Sequence, residues 1–264
     1  MLYARGLPFT LPMRDFAFSQ TSQRTRWAAL LVGIAAIVLL VTFEKPHPGA
    51  VGLPPLPADD IAARKQAFFE FLRPIVVHHN DRIREERAFL LTLEGRDAPG
   101  WGQTGRFHEL AKRYDVDTDE LDFAASLEML KRRVDVIPPA LVLIQAAKES
   151  GWGRSRFARE GNALFGERCF EQGCGIVPAN RVKGLLHEVR SFDTVHDSVA
   201  SYMDNINSHR SYRDLRLARA EMRDDENKLS ALSLAAHLLR YSERGEAYVQ
   251  EIRRMIISNG LESG

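Results

Sequence analysis

Glu149 is the residue in this chain whose type and setting most clearly suggest chemistry. It ends a run, "ALVLIQAAKE", that is apolar almost all round, and "SGWG" follows it at once. A carboxyl at the C-terminal end of an apolar helix meets two penalties on its charged form, desolvation and the negative end of the helix dipole. Both push its pKa upward. A carboxylic acid that keeps its proton near neutral pH can pass it to a leaving oxygen, which is what glycosidic bond cleavage requires. Gly151 and Gly153 would let a bulky sugar approach the backbone, and Trp152 offers an apolar plate. A solvated glutamate and a core tryptophan are the plainer readings of the same residues.

The elements that must position this group read as mostly helical. The prolines of "IPPALVLIQAAKES" suit a first helical turn, and the run behind them has the character of a buried central helix. "SRFARE" reads as a short helix closed by Gly161 and Asn162. Upstream, Phe68, Leu72 and Ile75 share one helical stripe, with Pro74 expected to kink or end that helix, and a second helix runs through "DRIREERAFLLTL". "EGRDAPGWGQTG" reads as a loop. Asp117 and Glu120 form the pattern of a capping box before a helix carrying Phe123, Leu127, Leu130 and Val134. "GIVPANRVKGLLHEVRSF" has the turn residues and β-branched content of a hairpin, and the chain is helical again from Thr194.

Composition narrows the classes. At 264 residues, 45% apolar and 27% charged, the chain has room for one good-sized domain with appendages or for two small domains, and its formal charge of +1 gives no bulk attraction to nucleic acid. Residues 27–43, "WAALLVGIAAIVLLVTF", form an uncharged run at the lower end of what crosses roughly 30 Å of hydrocarbon. Arg5, Arg14, Arg24 and Arg26 precede it against one acid, Asp15, which keeps the N-terminus cytoplasmic and sends the rest across. No small-x-small cleavage site follows and the leader before the run is long, so an uncleaved anchor is favoured over a cleaved signal peptide or a buried core helix. The expected organisation is a cytoplasmic segment 1–26, a transmembrane anchor 27–43, a proline-rich extended tether 44–58, a helical part 59–135 and a catalytic domain 136–264. In an exported context Cys169 and Cys174 favour a local disulfide over two free thiols.

Metal and cofactor chemistry find little footing. The eight histidines show no HExxH spacing, and the neighbours His78 and His79 should point to different sides of a helix. There is neither a glycine-rich phosphate loop nor a nucleophile elbow, so no cofactor is expected. Arg210, Arg213, Arg216 and Arg219 recur every three residues, a spacing that reads as a solvated helix face or a surface for anionic groups.

"ESGWGRSRFAREGNALFG" with the preceding "LIQAA" resembles the glucosaminidases of glycoside hydrolase family 73, within the lysozyme-like superfamily, and most closely the Bax-type branch. The similarity continues in "CFEQGCGIVPANR", in "HEVRSFDTVHDSVASYMDNINSHRSYRDLR" and in "LLRYSERGEAYVQEIRRMIISNGL", covering about residues 60–264. The resemblance implies a lysozyme-like helical domain with one small β-hairpin, acting on the β-1,4 bond after N-acetylglucosamine in peptidoglycan glycan strands at the periplasmic face of the inner membrane. It implies Glu149 as catalytic acid, Tyr241 as a cleft tyrosine assisting catalysis, and sugar contacts from Trp152, Ser155, Asn162, Phe165 and Gly166. Where the family often has a second glutamate, this chain offers Glu188, with Glu171 behind it. The substrate's own 2-acetamido group is an alternative second participant. A lytic transglycosylase or muramidase, and a wall-binding module without catalysis, remain the competing functions.

Overall fold

The computed structural model describes residues 52–179, 181, 184–224 and 228–262. The expected cytoplasmic segment, the anchor 27–43 and the first part of the tether lie outside the described residues. Among those described, no helix is long and apolar enough to cross a membrane. The element order is α1 (Ile61–Leu91), α2 (Thr104–Arg113), α3 (Phe123–Arg133), α4 (Pro139–Ser150), α5 (Arg156–Gly161), β1 (Arg168–Cys169), β2 (Gly175–Ile176), β3 (Glu188–Arg190), α6 (Val195–Ser208), a 3-10 turn (Arg210–Tyr212), α7 (Arg213–Asp224), α8 (Ala231–Ala235) and α9 (Glu246–Ser258). The protein is mainly α with a small sheet.

The central helix is α4, and its sequence explains why. With Pro139 in its first turn, every residue from Ala140 to Ala147 is buried. A helix without a polar face can satisfy its surface only by being surrounded, and α1, α8 and α9 pack around it. Fully burying each of Leu141, Val142, Leu143 and Ile144 contributes roughly 1.5–3 kcal/mol, which makes α4 the anchor of the core. The one polar residue inside this stretch is Gln145, four positions before Glu149 and so on the same face.

Three elements differ from the sequence reading. Helix α1 runs unbroken through Pro74. Pro74 and Glu70 are both exposed, so the carbonyl that the proline cannot bond is open to water, while Phe68, Leu72, Ile75 and Val76 on the buried stripe hold both halves to the core. Helix α3 begins one turn later than the Asp117 pattern suggests. Asp117 accepts from the amides of Asp119 and Glu120 to close a separate turn, and Asp122 is the true cap, taking the Ala125 N–H at 2.8 Å. The expected hairpin gains a third strand: the order is β1-β3-β2, all antiparallel, with β3 in the middle. Two residues of β1 carry too little pattern to be read as a strand.

The arginine series divides: Arg210 and Arg213 are exposed, as a solvated face requires, and the two on the inner side of α7 are not. Arg216 and Arg219 are buried, and Arg219 donates to the carbonyls of Arg132, Arg133, Asp135 and Val136 and to Asn207 Oδ1. It supplies donors to the chain leaving α3, where a helix end has carbonyls without partners. The tether differs too. Leu53 and Leu56 pack against the core, and the Arg64 guanidinium donates to the carbonyls of Pro57 and Ala58, so the chain from Gly52 on belongs to the domain.

Candidate active site

The turn after α4 is built from "GWG". Gly151, Trp152 and Gly153 all adopt left-handed backbone conformations, with φ of 59°, 59° and 73°. Three in succession reverse the chain within a few residues of Glu149. The Trp152 N–H returns to the Ala147 carbonyl, and Ser150 Oγ accepts from the Gly153 N–H while donating to the Ala146 carbonyl. A Cβ at 153 would also stand 2.5 Å from the end of the Leu53 side chain and 2.9 Å from that of Leu56, so both leucines would have to shift. Leu53 and Leu56, rather than a sugar, occupy the space beside that backbone.

Glu149 opens into a cleft of about 560 Å³ lined also by Phe165, Gly166, Glu167, Tyr202, Tyr212, Tyr241 and Arg244. Solvent reaches the glutamate from the cleft side, and tyrosines wall it on the inner side. Tyr241 stacks on Tyr248 at 5.3 Å, and Phe165 stacks on Tyr202 at 4.0 Å. Desolvation by this wall pushes the Glu149 pKa up. The Tyr248 hydroxyl, within hydrogen-bonding reach of the carboxylate, pulls in the opposite direction, as does Lys148, while Glu251 adds to the rise. Glu251 also binds Lys148 at 2.8 Å and Arg244 at 2.7 Å, which blunts those two cations. Burial therefore prevails.

A relay of hydrogen bonds fixes which way Tyr248 points its proton. Tyr202 donates its hydroxyl to Gln145 Oε1 at 2.5 Å, and Gln145 Nε2 donates to the Tyr248 oxygen at 3.1 Å. With its oxygen already accepting, Tyr248 has its own proton to give to Glu149. Burial and the Glu149 charge hold Tyr248 in its neutral, donating form.

The residues expected at the site separate into two groups. Glu149, Tyr241, Phe165 and Gly166 meet in the cleft, where the Tyr241 hydroxyl donates to the Phe165 carbonyl at 3.3 Å and burial pushes its pKa well up. Trp152, Ser155, Asn162 and Glu188 are absent from the cleft lining. Trp152 packs edge-on against Phe68 and Phe69 of α1 with Lys65 over its ring, half-buried against the core and outside the lining of the Glu149 cleft. Ser155 is the N-cap of α5, accepting from Ala158. Asn162 is that helix's left-handed C-cap and donates to the carbonyls of Phe192 and Asp193. Glu188 is buried in β3 and spends both oxygens on the N–H groups of Gly173 and Gly175, tying down the loop that the Cys169–Cys174 disulfide closes. The rings of His78 and His79 do not diverge; both stand within 5.5 Å of His196.

Sequence reasoning missed Glu167, Gln145, Tyr202, Tyr212 and Tyr248. Two signals were readable: a lone glutamine four residues before Glu149 in an otherwise apolar helix, and a glutamate directly after the Gly166 that ends the "NALFG" block.

The chain belongs to the glucosaminidase family: the family model described as "Mannosyl-glycoprotein endo-beta-N-acetylglucosaminidase" matches residues 124–261, which include the whole of α4, the sheet and the cleft. Among individual proteins it is similar to Protein bax of Escherichia coli (strain K12), 34% identical over 185 residues, in agreement with the Bax-type branch. That match takes in 70% of this chain, which spans 66% of the relative's own length. No solved structure matches the chain.

Proposed function

We propose that this protein is a peptidoglycan hydrolase of lysozyme-like fold, cleaving the β-1,4 bond after N-acetylglucosamine with Glu149 as general acid. The observation that carries this reading is the placement of Glu149 at the end of a buried helix, facing an open cleft, with its pKa raised by burial. As the C1–O4 bond weakens, the Glu149 proton passes to the leaving oxygen. Tyr248 then stabilises the carboxylate that remains, so the same group is held as an acid before the transfer and tolerated as an anion after it. Tyr241, Tyr202 and Phe165 give the cleft a rigid aromatic side suited to sugar rings.

The glucosaminidase family supports a glycosidic substrate. The uncharged run 27–43 and the arginines before it support a periplasmic domain held at the inner membrane. Digestion of purified sacculi by the wild type and by Glu149→Gln tests the proposal. The wild type should release muropeptides with new reducing N-acetylglucosamine ends, and Glu149→Gln should lose at least about 100-fold in rate. Ends carrying 1,6-anhydromuramic acid would instead establish a lytic transglycosylase. Binding to sacculi without release, unchanged by Glu149→Gln, would leave only a wall-binding role.

A further inference from the structure

Glycoside hydrolysis needs a second group to handle the attacking water or the charge at C1. Glu188 is committed to two loop amides and lies outside the cleft lining. Glu167 lines the same cleft as Glu149. Its backbone is held from both sides: the Arg190 N–H donates to the Glu167 carbonyl at 2.8 Å, and the preceding Phe165 is fixed by its stack on Tyr202 and by the Tyr241 hydroxyl. Its side chain is held as well, because Ser201 Oγ on α6 donates to Oε2 at 2.7 Å.

The other oxygen is the informative one. Glu167 Oε1 is buried and has no hydrogen-bond partner among the described residues. Buried carboxylate oxygens in folded proteins are rarely left so, because an acceptor stripped of water costs free energy until a donor reaches it. Here the missing donor is supplied if a water is enclosed when substrate fills the cleft. Glu149 and Glu167 share the cleft wall with Tyr202 and Tyr212, whose pKa values are raised by burial and, further, by both negative charges.

We propose that Glu167 is the general base of the reaction; the inference rests on the glycosidase reading. A water hydrogen-bonded to Oε1 attacks C1, forming the C1–O bond and losing a proton to Glu167. The C1–O4 bond breaks, its electron pair stays on O4, and O4 takes the proton of Glu149. Glu167 ends protonated and Glu149 ionised, and exchange of protons with solvent restores both. Burial pushes the Glu167 pKa up against the opposing pull of Ser201 and Arg190, which strengthens its hold on the proton it must take.

The test is chemical rescue of the full chain on purified sacculi. Glu167→Ala should lower kcat at least about 100-fold with KM little changed. Sodium azide, a nucleophile that needs no base, should restore cleavage and leave a glycosyl azide inverted at C1. Glu149→Gln, lacking the acid, should gain nothing from azide. Glu167→Gln keeps the shape of the site and should show the same loss and the same rescue with a melting temperature close to wild type. A wild-type kcat in a folded Glu167 variant, or a loss that azide does not relieve, overturns the assignment. Failure of the wild type itself to cut sacculi would instead overturn the glycosidase reading on which it rests.

Discussion

Replacing Tyr248 by Phe removes one oxygen from the relay and isolates its effect on Glu149. The hydroxyl favours the ionised carboxylate, so it holds the Glu149 pKa down against burial, and its removal lets that pKa rise further. A hydrogen bond to a charged group contributes about 1.5–3 kcal/mol. Solvent screens Glu149 from the cleft side, so the lower end applies, about 1.5 kcal/mol, which at about 1.4 kcal/mol per unit is about one pH unit. A general acid works only while protonated. The alkaline limb of kcat against pH, followed by loss of turbidity of a sacculus suspension, should therefore move up by about one pH unit in Tyr248→Phe, with the acidic limb unmoved. The Gln145 N–H left without an acceptor should also cost about 1–3 kcal/mol of stability, visible in urea unfolding. An alkaline limb that stays in place or moves down, in a variant whose unfolding shows that the bond was lost, would refute the assignment of Tyr248 as donor to the acid.

Other expectations concern the frame. Burial alone would raise the Asp135 pKa, but the paired hydrogen bonds from Arg223 and the charges of Arg219 and Arg87 outweigh it and hold the carboxyl below its usual range. Its stabilisation is present above the ordinary carboxylate range and lost as pH falls through the depressed value. Asp135→Asn should cost about 3 kcal/mol at neutral pH, and its deficit in urea unfolding should shrink as the wild type is acidified. Gly153→Ala should lower the melting temperature, because a left-handed alanine is strained by roughly 1–2 kcal/mol and its Cβ collides with Leu53 and Leu56. Reducing Cys169–Cys174 frees a loop whose closure contributes about 2 kcal/mol in the entropy model, so thiol treatment should loosen the segment between β1 and β2, seen as faster amide exchange at Gly173 and Gly175.

What could be read in advance follows the strength of local pattern. The buried helix ending in Glu149 was legible because an apolar run beginning in prolines and closed by glycine permits few other structures. The end of α5 was legible because Asn162 after Gly161 takes the left-handed conformation and returns its backbone N–H to Phe157, whereas Ser155, expected at the sugar, serves as that helix's N-cap. Long-range pairing was not. The "EV" of β3 pairs on one side with a two-residue strand, and that pairing, together with the amides of Gly173 and Gly175, turns Glu188 from a candidate reactant into a strut. The place of Trp152 was hidden for a related reason: a tryptophan beside a reactive carboxyl suggests a platform in the same cleft, but consecutive left-handed residues swing it toward Phe68 and Phe69. Arg219 looked like a surface residue because its acceptors are carbonyls, which leave no trace in side-chain sequence.

The seating of Leu53 and Leu56 on Gly153 has a mechanical corollary. A pull arriving along the chain at Gly52 would meet the fold beside Asn162 and then at that seat, four residues beyond Glu149, ahead of the free end of α1. Load would thus reach the reversal that aims the carboxyl, and the cap of the next helix, before it reached α1.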